Sequence, residues 1–507
     1  MRKISFLDRQ ALRRPIPQTL VLLASLCLTA VPAPAQTDTE YDSFTETPIQ
    51  DPRSLIDRYH LSDGDVSYLL FDPASGTPIV EHRADQARIP ASTSKIVTVN
   101  AALQLLGPDY RFQTSLLATG AAHPPELNGD LYLRGGGDPS LTSDDLRAFA
   151  SALRTAGISR ISGRFVYDES LLPRLREIDP SQPDAVVYNP GISALSLNYN
   201  RVQVRWQHAR GNGDFVTTVL SPADGGPVPV DVIGFAASPS DGGSAFQYAG
   251  TGNDRWLLSP RLAAQGATTL PVKNDAGRVA ANVFQNLCRE YGIELPNPES
   301  GQAPASARVI HTHASEPLPT IASKVLRHSN NMAAEMIGLV SSRKLTSRAL
   351  PLALSAQALA RWYQYRLKNA DWTGFVAQNH SGLSRDSRHS SRQLAAILRD
   401  GWAMGQRGNG LINVMSPAAW ERGSGAYAST RVKSGTMSYA DGLVGYLTGH
   451  TGRQYGFVIL ITDFGQRASF DGVMDAYGDA EAPGSRRWTG RAKTFEQALV
   501  KTWIAQH

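Results

Sequence analysis

The first candidate for chemistry in the sequence is a serine followed three residues later by a lysine. The motif reads Ser92-Thr93-Ser94-Lys95 and stands just after Pro90, at the start of a stretch with apolar residues at helical spacing. Residues three apart lie on one face of a helix, so the Ser92 hydroxyl and the Lys95 amine can meet. A serine hydroxyl is a weak nucleophile until a base removes its proton, and a buried lysine can be that base because burial disfavours its cation.

A second motif, Ser329-Asn330-Asn331, interrupts two helical stretches. A loop at such a break can aim a hydroxyl and an amide into a cleft. The same S-x-N pattern at 196–198 lies in strand-like alternation, and a second S-x-x-K match at 341–344 lies in a charged stretch at a helix end. We interpret the first as a strand and the second as solvent-facing surface.

The third motif, Lys433-Ser434-Gly435-Thr436, lies in a strand-like stretch. Gly435 is expected to leave room for a substrate backbone beside the strand edge. Lys433 supplies a second cation, which would lower the pKa of the first lysine and attract a carboxylate. Three motifs in this order, each in a suitable local structure, favour a serine hydrolase site over three unrelated surface features.

The surrounding pattern shows which elements must position these motifs. A helix is predicted from Pro90 to Gly107-Pro108, and one helix on each side of 329–331. Further helices are predicted at 351–368, 391–404 and 491–505. Strands are predicted at 430–436, 443–448 and 455–463, the last two forming a hairpin. Residues 114–311 differ in their sequence pattern, which shows short strands and Gly-, Ser- and Pro-rich segments. They are predicted to form an insertion.

Composition and charge describe an ordinary exported globular protein. The 507 residues are 42% hydrophobic and 19% charged, which excludes collagen-like and long disordered chains. The net charge of +5 lies mostly in the first 35 residues, and the remainder holds 45 basic and 44 acidic residues. Such balance gives no electrostatic case for nucleic-acid binding. A basic start, an apolar run at 20–31 and Ala33-Pro34-Ala35 predict a cleaved signal peptide, and no later run could span a membrane.

Cysteine and histidine give no metal site. Cys27 would leave with the signal peptide, so Cys288 cannot form an intramolecular disulfide and is predicted to be a buried thiol on a helix. His311 and His313 lie in what we expect to be a polar loop without an acidic neighbour. No metal or other cofactor is predicted.

The three motifs together resemble those of the penicillin-recognising serine enzymes. The wider sequence resembles one branch of them, the class C penicillin-binding proteins, which are D-alanyl-D-alanine carboxypeptidase/endopeptidases. The resemblance spans about residues 90 to 450 and includes a long insertion between the first two motifs. The other segments that carry it are Pro90-Ala91-Ser92-Thr93, Gly135-Gly136-Gly137-Asp138-Pro139, Tyr188-Asn189-Pro190, Ser193-Ala194-Leu195-Ser196 and Ser381-Gly382-Leu383-Ser384-Arg385.

The resemblance implies a role for each catalytic position. Ser92 would be the acylated nucleophile and Lys95 its general base. Ser329 would relay a proton to the leaving amine, and Asn331 would hold the substrate amide. Lys433 would tune the site.

The resemblance also implies a substrate-binding strand. The hydroxyls of Ser434 and Thr436, with Gly435 between them, would hold the terminal carboxylate, and the backbone N–H groups of Ser92 and Thr436 would form an oxyanion hole. Asn379-His380 stands where the family usually has Asp-Gly, which argues against a role for an acidic residue there, and Ser434 replaces the commoner threonine.

For the whole molecule, the resemblance implies a mixed α/β (α+β) penicillin-binding/β-lactamase-like transpeptidase domain. It would consist of residues 36–113 and 312–507, with the signal peptide at 1–35 and an α/β-plus-β insertion of two subdomains at 114–311. The expected substrates are peptidoglycan stem peptides ending in D-Ala-D-Ala, with β-lactams as covalent inhibitors, in an exported, periplasmic protein without cofactor or nucleic-acid partner.

Two other functions remain open at this stage. A serine β-lactamase shares all three motifs but would need an efficient deacylating base. A non-catalytic cell-wall-binding scaffold would need no intact Ser92, Lys95, Ser329, Asn331 or Lys433. The sequence does not decide between carboxypeptidase and endopeptidase activity, and it contains no G-x-S-x-G elbow and no Gly-Lys dipeptide of a P-loop.

Overall fold

The structure is a computed structural model that describes residues 51–208, 215–239, 244–421, 429–471 and 484–507. The predicted signal peptide lies outside these residues. Within them, no helix is both long and apolar enough to cross a membrane.

The helices lie mainly in two groups along the chain, one on each side of a strand-rich region. They are α1 (Ser54–Arg58), α2 (Lys95–Leu105), α3 (Ser143–Thr155), α4 (Ala276–Glu290), α5 (Leu318–His328), α6 (Asn331–Thr346), α7 (Leu352–Arg366), α8 (Ser391–Gly405), α9 (Leu411–Val414), α10 (Phe464–Asp471) and α11 (Ser485–Gln506). Short 3-10 turns occur at Asp63–Asp65, Ala91–Ser94, Asn198–Asn200 and Ala419–Glu421.

Within the described residues the strands form five sheets, and the strands are numbered in chain order. They are β1 (Val66–Phe71), β2 (Pro78–His82), β3 (Gln113–Ala118), β4 (Ala121–His123), β5 (Glu126–Asn128), β6 (Leu131–Arg134), β7 (Arg160–Ile161), β8 (Phe165–Asp168), β9 (Arg201–His208), β10 (Phe215–Ser221), β11 (Val228–Pro229), β12 (Gly234–Ala237), β13 (Phe246–Tyr248), β14 (Arg255–Leu258), β15 (Gln265–Pro271), β16 (Pro298–Ser300), β17 (Arg308–Ala314), β18 (Thr430–Met437), β19 (Ala440–Thr448) and β20 (Gln454–Thr462).

The sheet that carries the third motif is antiparallel, in the order β18-β19-β20-β1-β2. Successive side chains of a strand point to opposite faces, so a central strand covered on both sides is apolar throughout. In β20, Val458 and Leu460 join the core that includes α2, α6 and α8, whereas Phe457, Ile459 and Ile461 join the core that includes α11. The predicted strands and terminal helix are confirmed, and β18 forms one edge of the sheet.

The strand-rich region begins and ends on neighbouring strands. β3 pairs antiparallel with β17, with Gln113 opposite Ala314, in a sheet of order β16-β8-β6-β3-β17. A separate apolar core, which contains Phe149 of α3, Phe284 of α4 and the free, buried Cys288, has all its buried members between residues 116 and 293. The remaining sheets of this region have the orders β11-β10-β9-β15, β12-β14-β13 and β4-β5-β7.

The predicted loop at residues 311–313 is wrong, because this segment is part of β17. The His311 ring packs edge-on against Phe149, and the His313 ring lies 3.5 Å from a carboxylate oxygen of Asp138 and of Asp145. Hydrogen bonding to Asp138 raises the pKa of His313. A polar strand at the edge of a sheet resembles a loop in sequence because one of its faces remains hydrated.

Candidate active site

The nucleophile motif lies in a tight turn rather than in the first turn of an α-helix. Ala91–Ser94 form a 3-10 turn that continues into α2, and Ala91 has a left-handed φ of 44°. The N–H and the hydroxyl of Thr93 both donate to the carbonyl oxygen of Pro90, at 3.1 and 2.6 Å. Ser92 remains half-buried, with its Oγ 2.9 Å from the Nζ of Lys95.

Lys95 is completely buried, and its amine lies among three oxygen atoms. Besides Ser92 Oγ, these are Asn331 Oδ1 at 2.7 Å and the carbonyl oxygen of Ser381 at 2.9 Å. Burial lowers the pKa of Lys95 well below its usual range, and the charge of Lys433 lowers it further, against an opposing effect of Glu335. A neutral amine has two N–H groups and one lone pair. Because the amide and carbonyl oxygens can only accept, the lone pair of a neutral Lys95 must face Ser92, the one partner that can donate.

The second motif occupies the sharp break between α5 and α6, as predicted. Ser329 has a left-handed φ of 53°, which ends α5, and the Asn330 side chain caps α6 by accepting from the N–H of Ala333 at 2.9 Å. The break turns the Ser329 hydroxyl toward Lys433, whose Nζ donates to it at 3.1 Å. Burial lowers the pKa of Lys433 to about 7. This lysine can therefore gain and lose a proton near neutral pH.

The third motif packs directly on the nucleophile turn. A Cβ on Gly435 would lie 2.6 Å from the backbone nitrogen of Thr93 and 2.8 Å from that of Ser92. The expectation that this glycine makes room for substrate is therefore corrected: its missing side chain makes room for the Ser92 turn. On either side of it, Ser434 and Thr436 are exposed, and the Thr436 hydroxyl donates to Asp441 Oδ1 at 3.1 Å.

A segment after α7 completes the surroundings of Lys95. Gly382 has a φ of 76°, its N–H donates to Asn379 Oδ1 at 2.9 Å, and a Cβ there would lie 1.9 Å from the carbonyl oxygen of Ala91. His380, which replaces a glycine of the family pattern, is buried, and burial lowers its pKa to about 3. Its ring occupies the space that a side chain on Gly338 would need, so it has a packing role.

One functional contact comes from the region between the first two motifs. The Asn331 side-chain amide donates from Nδ2 to the carbonyl oxygen of Tyr188 at 3.0 Å while its Oδ1 accepts from Lys95. The two contacts together fix which way the amide points. The Tyr188-Asn189-Pro190 segment was recognised in the sequence, but no spacing rule could place it beside Asn331.

The second S-x-x-K match is only partly the surface that the sequence indicates. Lys344 is exposed, but Ser341 and Ser342 are fully buried. The Ser341 hydroxyl donates to the carbonyl oxygen of Ile337 at 2.7 Å, within its own helix. Such bonding within the helix satisfies the hydroxyl.

Sequence reasoning missed Glu335. It is a fully buried carboxylate on α6, one turn after Asn331. A single acidic residue within the apolar run 332–340, at helical spacing from a motif residue, is a signal that could have revealed it.

Comparison with known proteins agrees with this geometry. Residues 54–477 match the D-Ala-D-Ala carboxypeptidase 3 (S13) family. A D-alanyl-D-alanine carboxypeptidase of Actinomadura sp. (strain R39) is 27% identical over 475 residues, which cover 86% of this chain and 84% of that protein. The D-alanyl-D-alanine carboxypeptidase DacB of Haemophilus influenzae is 24% identical over 330 residues, which cover 63% of this chain and 67% of that protein.

The fold is also shared with solved structures. The crystal structure of penicillin binding protein 4 (dacB) from Haemophilus influenzae superposes with a TM-score of 0.68 at 20% identity, covering 90% of this chain and 100% of that one. The chain thus has the penicillin-binding, β-lactamase-like fold that the sequence predicted. With residues 54–477 matched and the three motifs gathered around one buried lysine, the chain belongs to the D-Ala-D-Ala carboxypeptidase 3 (S13) family and is a serine-type D-Ala-D-Ala carboxypeptidase.

Proposed function

We propose that the protein cleaves the bond between the two terminal D-alanines of peptidoglycan stem peptides through an acyl-enzyme on Ser92. The observation that carries this proposal is the contact of 2.9 Å between Ser92 Oγ and the buried amine of Lys95. The same chemistry would cleave a D-Ala cross-link between two stem peptides, so endopeptidase activity is included.

Acylation begins with transfer of the Ser92 proton to neutral Lys95. The Ser92 oxygen then attacks the carbonyl carbon of the penultimate D-alanine. The negative charge that develops on the carbonyl oxygen would be stabilised by the backbone N–H groups of Ser92 and Thr436. The tight packing of Gly435 on the Ser92 turn supports this oxyanion hole, because it brings the backbone of β18 close to the backbone of that turn.

The leaving amine needs a proton, and Ser329 is placed to give it one. The Ser329 hydroxyl donates its proton to the departing nitrogen and takes a proton from Lys433, its partner at 3.1 Å. Deacylation is the reverse of this relay, with water in the place of the amine. The Ser329–Lys433 pair accepts the proton of water, and Lys95 returns its proton to Ser92, so both lysines regain their starting states.

The substrate carboxylate would bind at the exposed edge strand β18. Ser434 and Thr436 are exposed there, and Lys433 adds a positive charge below its pKa of about 7. Asn331, whose amide is fixed between Tyr188 and Lys95, would hold the substrate amide.

Intact-mass spectrometry after exposure to benzylpenicillin tests the proposal. We expect one adduct of the mass of penicillin, and tryptic mapping should place it on the peptide that contains Ser92. The Ser92→Ala variant should show no adduct. Ser94→Ala is the matched control, because Ser94 lies in the same turn but its hydroxyl bonds His389 at 2.9 Å. An adduct on Ser92→Ala would overturn the assignment, and fast turnover of a chromogenic β-lactam would favour the β-lactamase alternative.

The domain division and the cellular location remain predictions. The separate core between residues 116 and 293 and the pairing of β3 with β17 support an insertion at 114–311 in a split catalytic domain, 36–113 and 312–507. Leu172 and Ile192 of this region nevertheless pack in the core that includes α2 and α6. The signal-peptide pattern at 1–35 supports export to the periplasm, which fits a peptidoglycan substrate.

A further inference from the structure

Glu335 is a buried charge to which the reaction steps above give no role. It lies on α6 with none of its surface exposed. Its two carboxylate oxygens accept from two successive backbone N–H groups, those of His380 at 2.8 Å and of Ser381 at 2.9 Å. A buried carboxylate is costly unless such donors satisfy it, so the contact ties α6 firmly to the 379–382 segment.

The segment that Glu335 holds is the one that holds Lys95. The carbonyl oxygen of Ser381 accepts from Lys95 Nζ at 2.9 Å. At the other end of that same peptide unit, the N–H of Gly382 donates to Asn379 Oδ1 at 2.9 Å. The carbonyl that contacts the amine therefore belongs to a peptide that is fixed on both sides.

We propose that Glu335 is a positioning residue for acylation: it clamps the backbone of His380 and Ser381 so that the Ser381 carbonyl oxygen holds the Lys95 amine against Ser92. The proposal rests on the proposed role of Lys95 as the base for Ser92. In this positioning role Glu335 acts through Lys95 and does not contact the substrate.

Because Glu335 can be charged, its loss should change the pH dependence of acylation, which the loss of a purely structural contact would not do. The charged group that acts on Glu335 is Lys95 of α2, and Lys433 of β18 acts on Lys95 in turn. The anion of Glu335 raises the pKa of Lys95, against the larger lowering by burial and by Lys433. Burial raises the pKa of Glu335 itself to about 7. Above that pKa, where Glu335 is ionised, removing its negative charge lowers the pKa of Lys95 further.

The Glu335→Gln variant tests both parts of the proposal. Glutamine keeps the size but turns an NH₂ group toward one of the two backbone N–H donors, which loosens the clamp. We expect the second-order rate constant for penicillin acylation to fall at least about tenfold at its optimum pH. We also expect the part of the acidic limb above about pH 7, where Glu335 is ionised, to move to lower pH. Glu335→Asp, which keeps the charge on a shorter arm, should acylate more slowly with the limb unmoved.

A matched control is Asp168→Asn. Asp168 is also buried, and its two oxygens accept from the N–H groups of Ser170 at 3.0 Å and Ala303 at 2.9 Å, away from the lysine. This variant should unfold at lower temperature but keep the acylation profile of the unchanged protein.

The outcomes separate this proposal from the one that it rests on. If the unchanged protein is acylated on Ser92 and Glu335→Gln acylates at the same rate with the same pH profile, Glu335 has no positioning role. An acidic limb that lies above about pH 7, where Glu335 is ionised, and that does not move in a slower Glu335→Gln would overturn the electrostatic link between Glu335 and Lys95. If Glu335→Gln fails to fold, Glu335→Asp decides, because an unchanged rate there would contradict the clamp. Failure of the unchanged protein to be acylated on Ser92 would instead refute the proposed function.

Discussion

Two fully buried lysines, one in the motif-bearing region and one in the region between the first two motifs, have opposite surroundings. The Nζ of Lys273 lies 3.0 Å from Glu177 Oε2 and 3.7 Å from Asp184 Oδ1, and it donates to the carbonyl oxygen of Asn189 at 3.3 Å. Lys95 has a hydroxyl, an amide oxygen and a carbonyl oxygen as its hydrogen-bond partners, and no ion pair with a carboxylate among the residues that the structure describes.

The difference shows that burial alone does not make a lysine a base. A carboxylate in contact stabilises the ammonium form, so a lysine such as Lys273 serves as a structural cation. Lys95 has the same burial without that compensation, and the second cation at Lys433 adds to the effect. Glu335, whose charge opposes this lowering, contacts backbone amides instead of the amine. Because no ion pair among the described residues stabilises its ammonium form, burial favours the neutral amine of Lys95 beside Ser92.

The largest expected effect comes from replacing Lys95. Lys95→Met should reduce the rate constant of penicillin acylation at least about 1,000-fold, because it removes the amine that contacts the Ser92 hydroxyl at 2.9 Å. Lys95→Arg should be equally inactive, since a guanidinium stays charged. The measurement is stopped-flow or mass-spectrometric acylation by benzylpenicillin.

Lys273→Met is the other half of this test. It leaves Glu177 without its lysine, which should lower the free energy of unfolding by up to about 3 kcal/mol. This loss is smaller than for an isolated buried pair because Arg176 also lies 3.8 Å from Glu177. The folded protein should still be acylated within a few-fold of the normal rate. If both variants lose stability and neither loses the chemistry, the distinction between the two lysines is wrong.

Gly435→Ala should have the next largest effect, because it separates the second cation from the nucleophile. The added Cβ would lie 2.6 Å from the backbone nitrogen of Thr93, so β18 must move away from the Ser92 turn. A shift of this kind should lower the acylation rate on the order of 100-fold. Gly490→Ala on α11, where a Cβ would meet nothing within 4 Å, is the control and should raise stability by up to about 1 kcal/mol without changing the rate. Normal acylation by Gly435→Ala would show that the close packing is not needed.

The pH profile of acylation should show the consequence of both lysine environments. The pKa of Lys95 is lowered, so the neutral base is present above that pKa and lost below it. The rate constant should fall about tenfold per pH unit on the acidic side of that pKa. On the alkaline side, the positive charge of Lys433 is lost above its pKa of about 7, so KM for a peptide with a free terminal carboxylate should rise there. A flat profile in a folded protein would mean that another group accepts the proton.

Much of this site could be predicted from the sequence because its signals are local. Helix starts, a helix break and a terminal hairpin are determined by residues close in the chain, and the break at 329–331 and the strand at 433–436 agree with the structure. Ser92 lies instead in a 3-10 turn before α2, and Asn198, expected on a strand, begins another 3-10 turn. The reason for Gly435 was not local, because the backbone that it admits lies more than 300 residues earlier. Glu335 was missed for the same reason: its partners at 380 and 381 are brought to it by tertiary packing.

The region between the first two motifs was harder to predict. The pattern at residues 311–313 predicts a loop although they pair with β3, because β17 is an edge strand in which every residue is exposed or half-buried. The contact between Tyr188 and Asn331 depends on the packing of two distant segments, and no periodicity reveals it. Sequence patterns therefore located the reactive groups, whereas the contacts that orient them required the structure.

The smallest expected effect tests whether the two lysine environments communicate through Asn189. Its backbone carbonyl accepts from Lys273, and the preceding carbonyl, that of Tyr188, holds the amide of Asn331 beside Lys95. The buried Asn189 side chain fixes this segment by accepting from the N–H groups of Ile178 and Asp179 and donating to the carbonyl oxygen of Asp179, all at 2.9–3.0 Å.

Asn189→Ala removes that support and leaves two buried N–H groups without their acceptor, which should cost about 1–3 kcal/mol of unfolding free energy. Because the Tyr188 carbonyl then holds the Asn331 amide less firmly, acylation should slow by less than about tenfold, and kcat for a D-Ala-D-Ala peptide should fall with it. Asn282→Ala is a matched control, since the Asn282 side chain accepts from the N–H of Asp231 at 2.8 Å within the separate core region. It should lose stability alone. If both variants lose stability and leave the acylation rate unchanged, the Asn189 segment does not couple Lys273 to the site around Lys95.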